Sequence, residues 1–149
     1  MNNTWTNLHK LCVSLDTNTN LDLNKLKVLK SQINETTITG STALHFVALG
    51  TNIQLANWLI ENGAEFTLNE DLQSPLHWAC KQGDISMVKW FLTHIPTTMI
   101  HQKDEDGTSA FDWAVEYENN NVSKILKSYE QRNAYKGARK LSAKNILSP

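Results

Sequence analysis

The chain repeats itself. Residues 42–48 (TALHFVA), 74–80 (SPLHWAC) and 109–115 (SAFDWAV) are copies of one seven-residue pattern, opening 32 and 35 residues apart. A recurrence this regular constrains the fold more than any single motif does. Each copy heads one supersecondary unit, and neighbouring units stack to bury a continuous core. In the best-formed copy Ser74 is placed to cap a helix, and Pro75 takes the first helical position, where its missing N–H is not needed. Leu76, Ala79 and Cys80 then recur at helical spacing. Gly83-Asp84 closes that helix and opens a second, with Met87, Val88, Phe91 and Leu92 as its apolar face. Neither helix is long enough to stand alone in water, so each needs a neighbour.

A T-P-L-H-x-A pattern at a period near 33 is the mark of a β-turn followed by two helices. On these residues the chain resembles the ankyrin-repeat family, over roughly residues 37–130. The resemblance implies an all-α solenoid, with stacked helix–turn–helix units joined by β-hairpin-like turns. It also implies a non-enzymatic protein-binding module. The expected domain spans residues 1–131, with repeats at about 37–68, 69–103 and 104–131 and a degenerate one at about 1–36. A basic tail, 132–149, follows.

The degenerate repeat rests on Thr6, Leu8, His9 and Cys12, which keep the register, 36 residues before Thr42. A helix is expected near 6–15, then a polar break at residues 16–20, then a second helix lined by Leu23, Leu26 and Leu29. Terminal repeats are atypical because one face meets water. The first full repeat has its helices at about 42–49 and from Ile53, and Gly50 breaks between them. Leu72 stands where Gly40 and Gly107 stand in the neighbouring turns, so that turn either opens differently or carries strain. The connection after Leu92 is longer than its counterparts and is expected to bulge. From Arg132 onward there is no acidic residue. This stretch reads as a helix that caps the stack or as a frayed terminus.

Bulk properties narrow the function. The 149 residues carry a formal net charge of −1, which argues against general binding to nucleic acid or to a membrane surface. No apolar run is long enough to span a bilayer, and the N-terminus lacks the pattern of a signal peptide. Cys12 and Cys80 are too few for a disulfide framework and fall at matching, small-residue positions. A monomer in the cytoplasm, or in the nucleus, is expected.

His9, His45 and His77 share one register, with Asp112 in the last copy. Helices one repeat apart sit about 8–10 Å from each other, too far for these histidines to share a zinc at about 2 Å. The resemblance implies that they tie one repeat's turn to the next. His77 and Cys80 are within reach on one helix, but Cys80 takes an interface slot, where a thiol is packing. No metal, no cofactor and no catalytic residue is expected.

Phe46, Trp78 and Trp113 directly follow the histidine register. At 100° per residue Trp78 points about 200° from Leu76, off the face shared by Leu76, Ala79 and Cys80. In the family this position and the exposed positions after it look into a concave groove. The resemblance therefore implies partner contacts at Phe46, Leu49, Trp78, Lys81, Gln82, Trp113, Glu116 and Tyr117. Asp71, Asp104 and Asp106 in the turns are expected to join them. Aromatic anchors of this kind dominate interfaces, although these rings could equally serve as framework between helices. The expected role is adaptor or inhibitor, similar to the inhibitory ankyrin proteins that bind Rel-type transcription factors, which some viral and bacterial proteins imitate in their hosts. Residues 76–84 also resemble ankyrin segments of palmitoyltransferases. That leaves a substrate-recognition fragment, or a subunit of a larger enzyme complex, as the alternative.

Overall fold

A computed structural model describes residues 5–146 of the chain. Residues 1–4, assigned above to the first repeat, and residues 147–149 of the basic tail lie outside that range. Among the described residues there are nine α-helices and no strand. They are α1 (Asn7–Ser14), α2 (Leu23–Leu29), α3 (Ala43–Leu49), α4 (Ile53–Glu61), α5 (Pro75–Gln82), α6 (Ile85–His94), α7 (Thr97–Ile100), α8 (Ala110–Glu116) and α9 (Asn120–Ile146). A 3-10 turn, Lys30–Gln32, extends α2. The architecture is the all-α solenoid.

The first helices of the repeats, α1, α3, α5 and α8, pack side by side in one row. The second helices α4, α6 and α9 form a row behind it, with α6 touching both α4 and α9. Matching residues fill matching slots. Leu8, Leu44 and Leu76 are buried between layers, as are Cys12, Ala48 and Cys80. Phe111, their counterpart in α8, is only half-buried because no further repeat covers it.

Between the rows' repeats run three tight turns of one design. Thr37 N–H bonds Ser41 C=O at 2.9 Å, Asn69 bonds Gln73 at 3.0 Å, and Asp104 bonds Thr108 at 2.9 Å. Adjacent turns are joined by Glu70 N–H to Thr39 C=O and by Glu105 N–H to Asp71 C=O, each at 2.9 Å. At the third position past each turn's opening residue φ is positive: +75° at Gly40, +78° at Gly107 and +58° at Leu72. The turn keeps its shape and Leu72 bears the strain, with its side chain 47% exposed.

Two expectations are corrected. The long connection after Leu92 does not bulge. It folds as the one-turn helix α7, which buries Ile100 against the core. Nor does a boundary fall at 131/132. α9 is a single helix of 27 residues that runs through it. Val122 and Leu126 anchor its first half, and residues 130–144 are exposed on every side. The helix therefore projects past the stack and does not cap it.

Candidate functional site

The candidate site begins with the way each front-row helix starts. Thr6, Thr42, Ser74 and Ser109 precede α1, α3, α5 and α8 in extended conformation. Three residues on, an imidazole turns back. The backbone N–H groups of Thr6, Thr42 and Ser74 donate to Nδ1 of His9, His45 and His77 at 3.2, 3.1 and 3.0 Å. Nδ1 is therefore the unprotonated acceptor and Nε2 carries the proton. Nε2 then donates across to the next repeat, to C=O of Glu35, Gln73 and Thr108 at 3.0, 3.0 and 3.2 Å. All three rings are 0% exposed. Burial lowers the pKa of each, that of His45 to about 4.

Asp112 shows what the histidine is for. Its carboxylate accepts from Ser109 N–H and Oγ–H, both at 2.8 Å, so the helix start is satisfied. A carboxylate has no proton to send onward, and among the described residues no further turn of this design follows α8 to receive one.

The aromatic that follows His45, His77 and Asp112 lies in each case on the histidine one repeat earlier. Phe46 is 4.8 Å from the His9 ring, Trp78 is 5.3 Å from His45, and Trp113 is 5.5 Å from His77. Phe46 is also covered by Trp5 at 4.4 Å and Trp78 at 5.4 Å, and is 2% exposed. It has no surface to offer a partner, and its place among the contact residues is withdrawn. The 200° angle from the core leucine is real, but the preceding repeat fills that direction. Lys10, the counterpart in α1, has no earlier histidine to cover and is exposed.

Trp78 and Trp113 are half-buried, and their polar ends are occupied. The Trp78 indole N–H donates to Gln73 Oε1 at 2.8 Å. That of Trp113 donates to Asp104 Oδ2 at 2.8 Å and to Thr108 Oγ1 at 3.0 Å. These rings bond helices to turns first and offer a partner only an edge. Asp104 is also withdrawn as a contact residue. It is 7% exposed, and its oxygens accept from Asp106 N–H, Thr108 N–H, Thr108 Oγ–H and the indole. Burial would raise its pKa, but these hydrogen bonds outweigh it and hold the carboxyl below its usual range.

What remains open lies at the helix ends and turn tips. Lys81, Gln82, Glu116 and Tyr117 are exposed, and Leu49 is half-buried. The Lys81 ammonium sits over the Tyr117 ring, 5.0 Å from its centroid, which joins α5 to α8. Asp71 and Asp106 are exposed at neighbouring tips, with Glu70 and Glu105 beside them. Among the exposed apolar side chains that escaped sequence reasoning is Ile38, 76% exposed at the tip of the first turn. Val115, 53% exposed on α8, and Trp5, 40% exposed over Phe46, are two more. Trp5 lies outside the repeated register, so spacing alone gave no reason to single it out.

Nucleophilic chemistry finds no footing at Cys80. The thiol is fully buried and burial raises its pKa to about 12. Both nitrogens of the adjacent His77 are committed to backbone. Among the described residues no three His, Cys, Asp or Glu side chains converge as metal ligands do, and no helix is long and apolar enough to cross a membrane.

A family model described as ankyrin repeats (3 copies) matches residues 51–138, more than half of the chain. The chain belongs to the ankyrin-repeat family. The match runs from the second helix of the first full repeat, α4, through the two repeats after it to the start of the projecting half of α9, and it leaves out α3 and the degenerate first repeat that α1 and α2 supply. No curated protein matches the chain significantly. Ankyrin repeats are protein–protein interaction modules, and this one binds another protein.

Proposed function

We propose that this ankyrin protein holds a basic segment of a partner along its concave face and acts as an adaptor or inhibitor. The observation that carries this reading is the row of side chains left open at equivalent helix ends: Leu49, Lys81-Gln82 and Glu116-Tyr117. Apart from the Lys81–Tyr117 contact, the four exposed ones are not used in packing, and the turns that open the same repeats bear four exposed carboxylates, Glu70, Asp71, Glu105 and Asp106. Carboxylates along one edge favour Lys- and Arg-rich segments and speed their encounter. Short basic segments are the usual nuclear-targeting signals. A transcription factor carries one, which fits inhibition in the manner of the proteins that restrain Rel-type factors. On this reading the protein works as a monomer in the cytoplasm, or in the nucleus where its partner goes, on a host signalling or transcription factor.

The test is affinity capture from the native host's lysate with the intact protein and an Asp71→Lys/Asp106→Lys variant. Both positions are exposed, so the stack survives the changes. The variant is expected to lose the captured partner by about tenfold or more. Equal recovery by both proteins overturns this use of the groove.

A further inference from the structure

A second surface lies on the other side of the molecule, between α6 and α9. The two helices diverge there and leave an open cleft of about 610 Å³. Leu92, Ile125 and Tyr129 give it an apolar floor, and Lys89, Lys124, Arg132 and Lys136 give it a cationic wall. No carboxylate lines it. None of those four cations has a carboxylate partner among the described residues, where the ion pair present is His101 with Glu130 at 3.6 Å. The cleft continues up the projecting half of α9 past Tyr135 and Arg139.

This half of α9 has a cost built in. Arg132, Lys136 and Lys140 are four residues apart in turn, and like charges at that spacing disfavour a helix. Residues 131–143 are exposed, so burial does little to offset it. A counter-charge laid along the stripe would relieve the repulsion.

We propose that this cleft is a second docking site, for an acidic amphipathic helix of a partner protein. Charge complementarity selects the sign of the occupant, and the floor selects its shape. Three apolar side chains between two helices accept the apolar stripe of a third, while the occupant's carboxylates meet the lysines and arginine along the rim. A nucleic acid fits less well, because its phosphates would meet an apolar floor on a chain with a net charge of −1. A flat membrane cannot reach the bottom of a cleft. The inference does not rest on the concave-groove reading, and the two surfaces are tested by different residues.

The probe is a labelled 18-residue peptide with Leu at helical i, i+3, i+4 spacing and Glu at most other positions. Its binding to the full chain is followed by fluorescence anisotropy. The expected result is saturable binding on the order of 10 μM, weakened about tenfold by Lys89→Gln/Arg132→Gln/Lys136→Gln. All three positions are exposed, and an unchanged melting temperature verifies that the variant is folded. Lys81→Glu/Tyr117→Ala should leave the peptide's affinity unchanged. A scrambled peptide with the same charge but no apolar stripe should bind at least severalfold more weakly. The proposal is overturned by no binding at about 100 μM peptide, by equal binding of the triple variant, or by equal binding of the scrambled peptide. Tighter binding of a single-stranded oligonucleotide or of phosphatidylserine vesicles also overturns it. So does self-association in sedimentation that the triple variant abolishes, since that would give the cleft to a second copy's acidic turns.

Discussion

Adding a proton to His45 would place it on Nδ1, where the Thr42 N–H already points from 3.1 Å. The protonated ring cannot keep both its bonds, and it is 0% exposed. Burial therefore holds its pKa at about 4, against the opposing bond to Gln73 and with help from the positive charge His77 and His9 would carry. His9 and His77 shift in the same direction for the same first cause. The sign follows from linkage. Below about 6.5 the unfolded chain binds protons that the folded chain refuses, so acid favours unfolding. Stability is complete above pH 6.5 and is lost as pH falls toward 4. Thermal melts at pH 7.5 and 4.5 check this; equal melting temperatures would show that the three rings do not need to be neutral. At this scale the sequence was legible where a residue type has one chemical use. The family resemblance implied that the histidines of this register tie one repeat to the next, and the tie is there. Phe46 and Asp104 were misassigned because helical angle and turn position say which way a side chain leaves its own backbone. They do not say what waits there. For Phe46 it was the preceding repeat's imidazole, and for Asp104 it was its own turn's N–H groups and an indole.

The turns and helices show a different balance between local preference and context. Gly40 and Gly107 take positive φ freely, whereas Leu72 is driven to +58° because its turn must bond both neighbours, Glu70 to Thr39 and Glu105 to Asp71. A left-handed L-residue costs about 1–2 kcal/mol, of which glycine's extra unfolded-state freedom returns part. Leu72 is 47% exposed, so little packing is lost on truncation. Leu72→Gly is therefore expected to stabilise the protein by about 0.5–1 kcal/mol, read by urea unfolding. Destabilisation of that size would mean that Leu72 earns its place through contacts instead. This strain could be read beforehand, since three turns in one register share one geometry. The course of α9 could not. Its basic composition looked like a boundary, but a helix stops only where a cap or breaker stops it, and Gly137 is a lone glycine in an otherwise helix-compatible run. Gly83 makes the complementary point. At φ +81° it closes α5, and a Cβ there would sit 2.5 Å from Asn119 Oδ1, whose amide bonds Cys80 and Lys81 C=O. The glycine serves contact between repeats as much as its own helix end.

The whole molecule is a short one-dimensional stack, and its stability divides among interfaces between successive units. Where a mutation falls along the stack should therefore matter as much as what it removes. Leu8 and Leu76 occupy equivalent slots and are both 0% exposed. Leu76 lies on α5, with α3 on one side and α8 on the other, so its loss weakens two interfaces. Leu8 lies on α1, which has α3 on one side only. Leu76→Ala should cost about 2–5 kcal/mol and lower the single melting transition of the entire stack. Leu8→Ala removes the same atoms but is expected to loosen α1 and α2 before the rest. Hydrogen exchange separates the two outcomes. In the Leu76→Ala protein, amides of α3, α5 and α8 should lose protection together. In the Leu8→Ala protein, loss should be confined to residues before about 36, with α5 and α8 protected as before. Uniform loss in both would mean that the chain unfolds as one indivisible globule, and the row of helices would then owe its stability to a single shared core, not to a chain of contacts between neighbours.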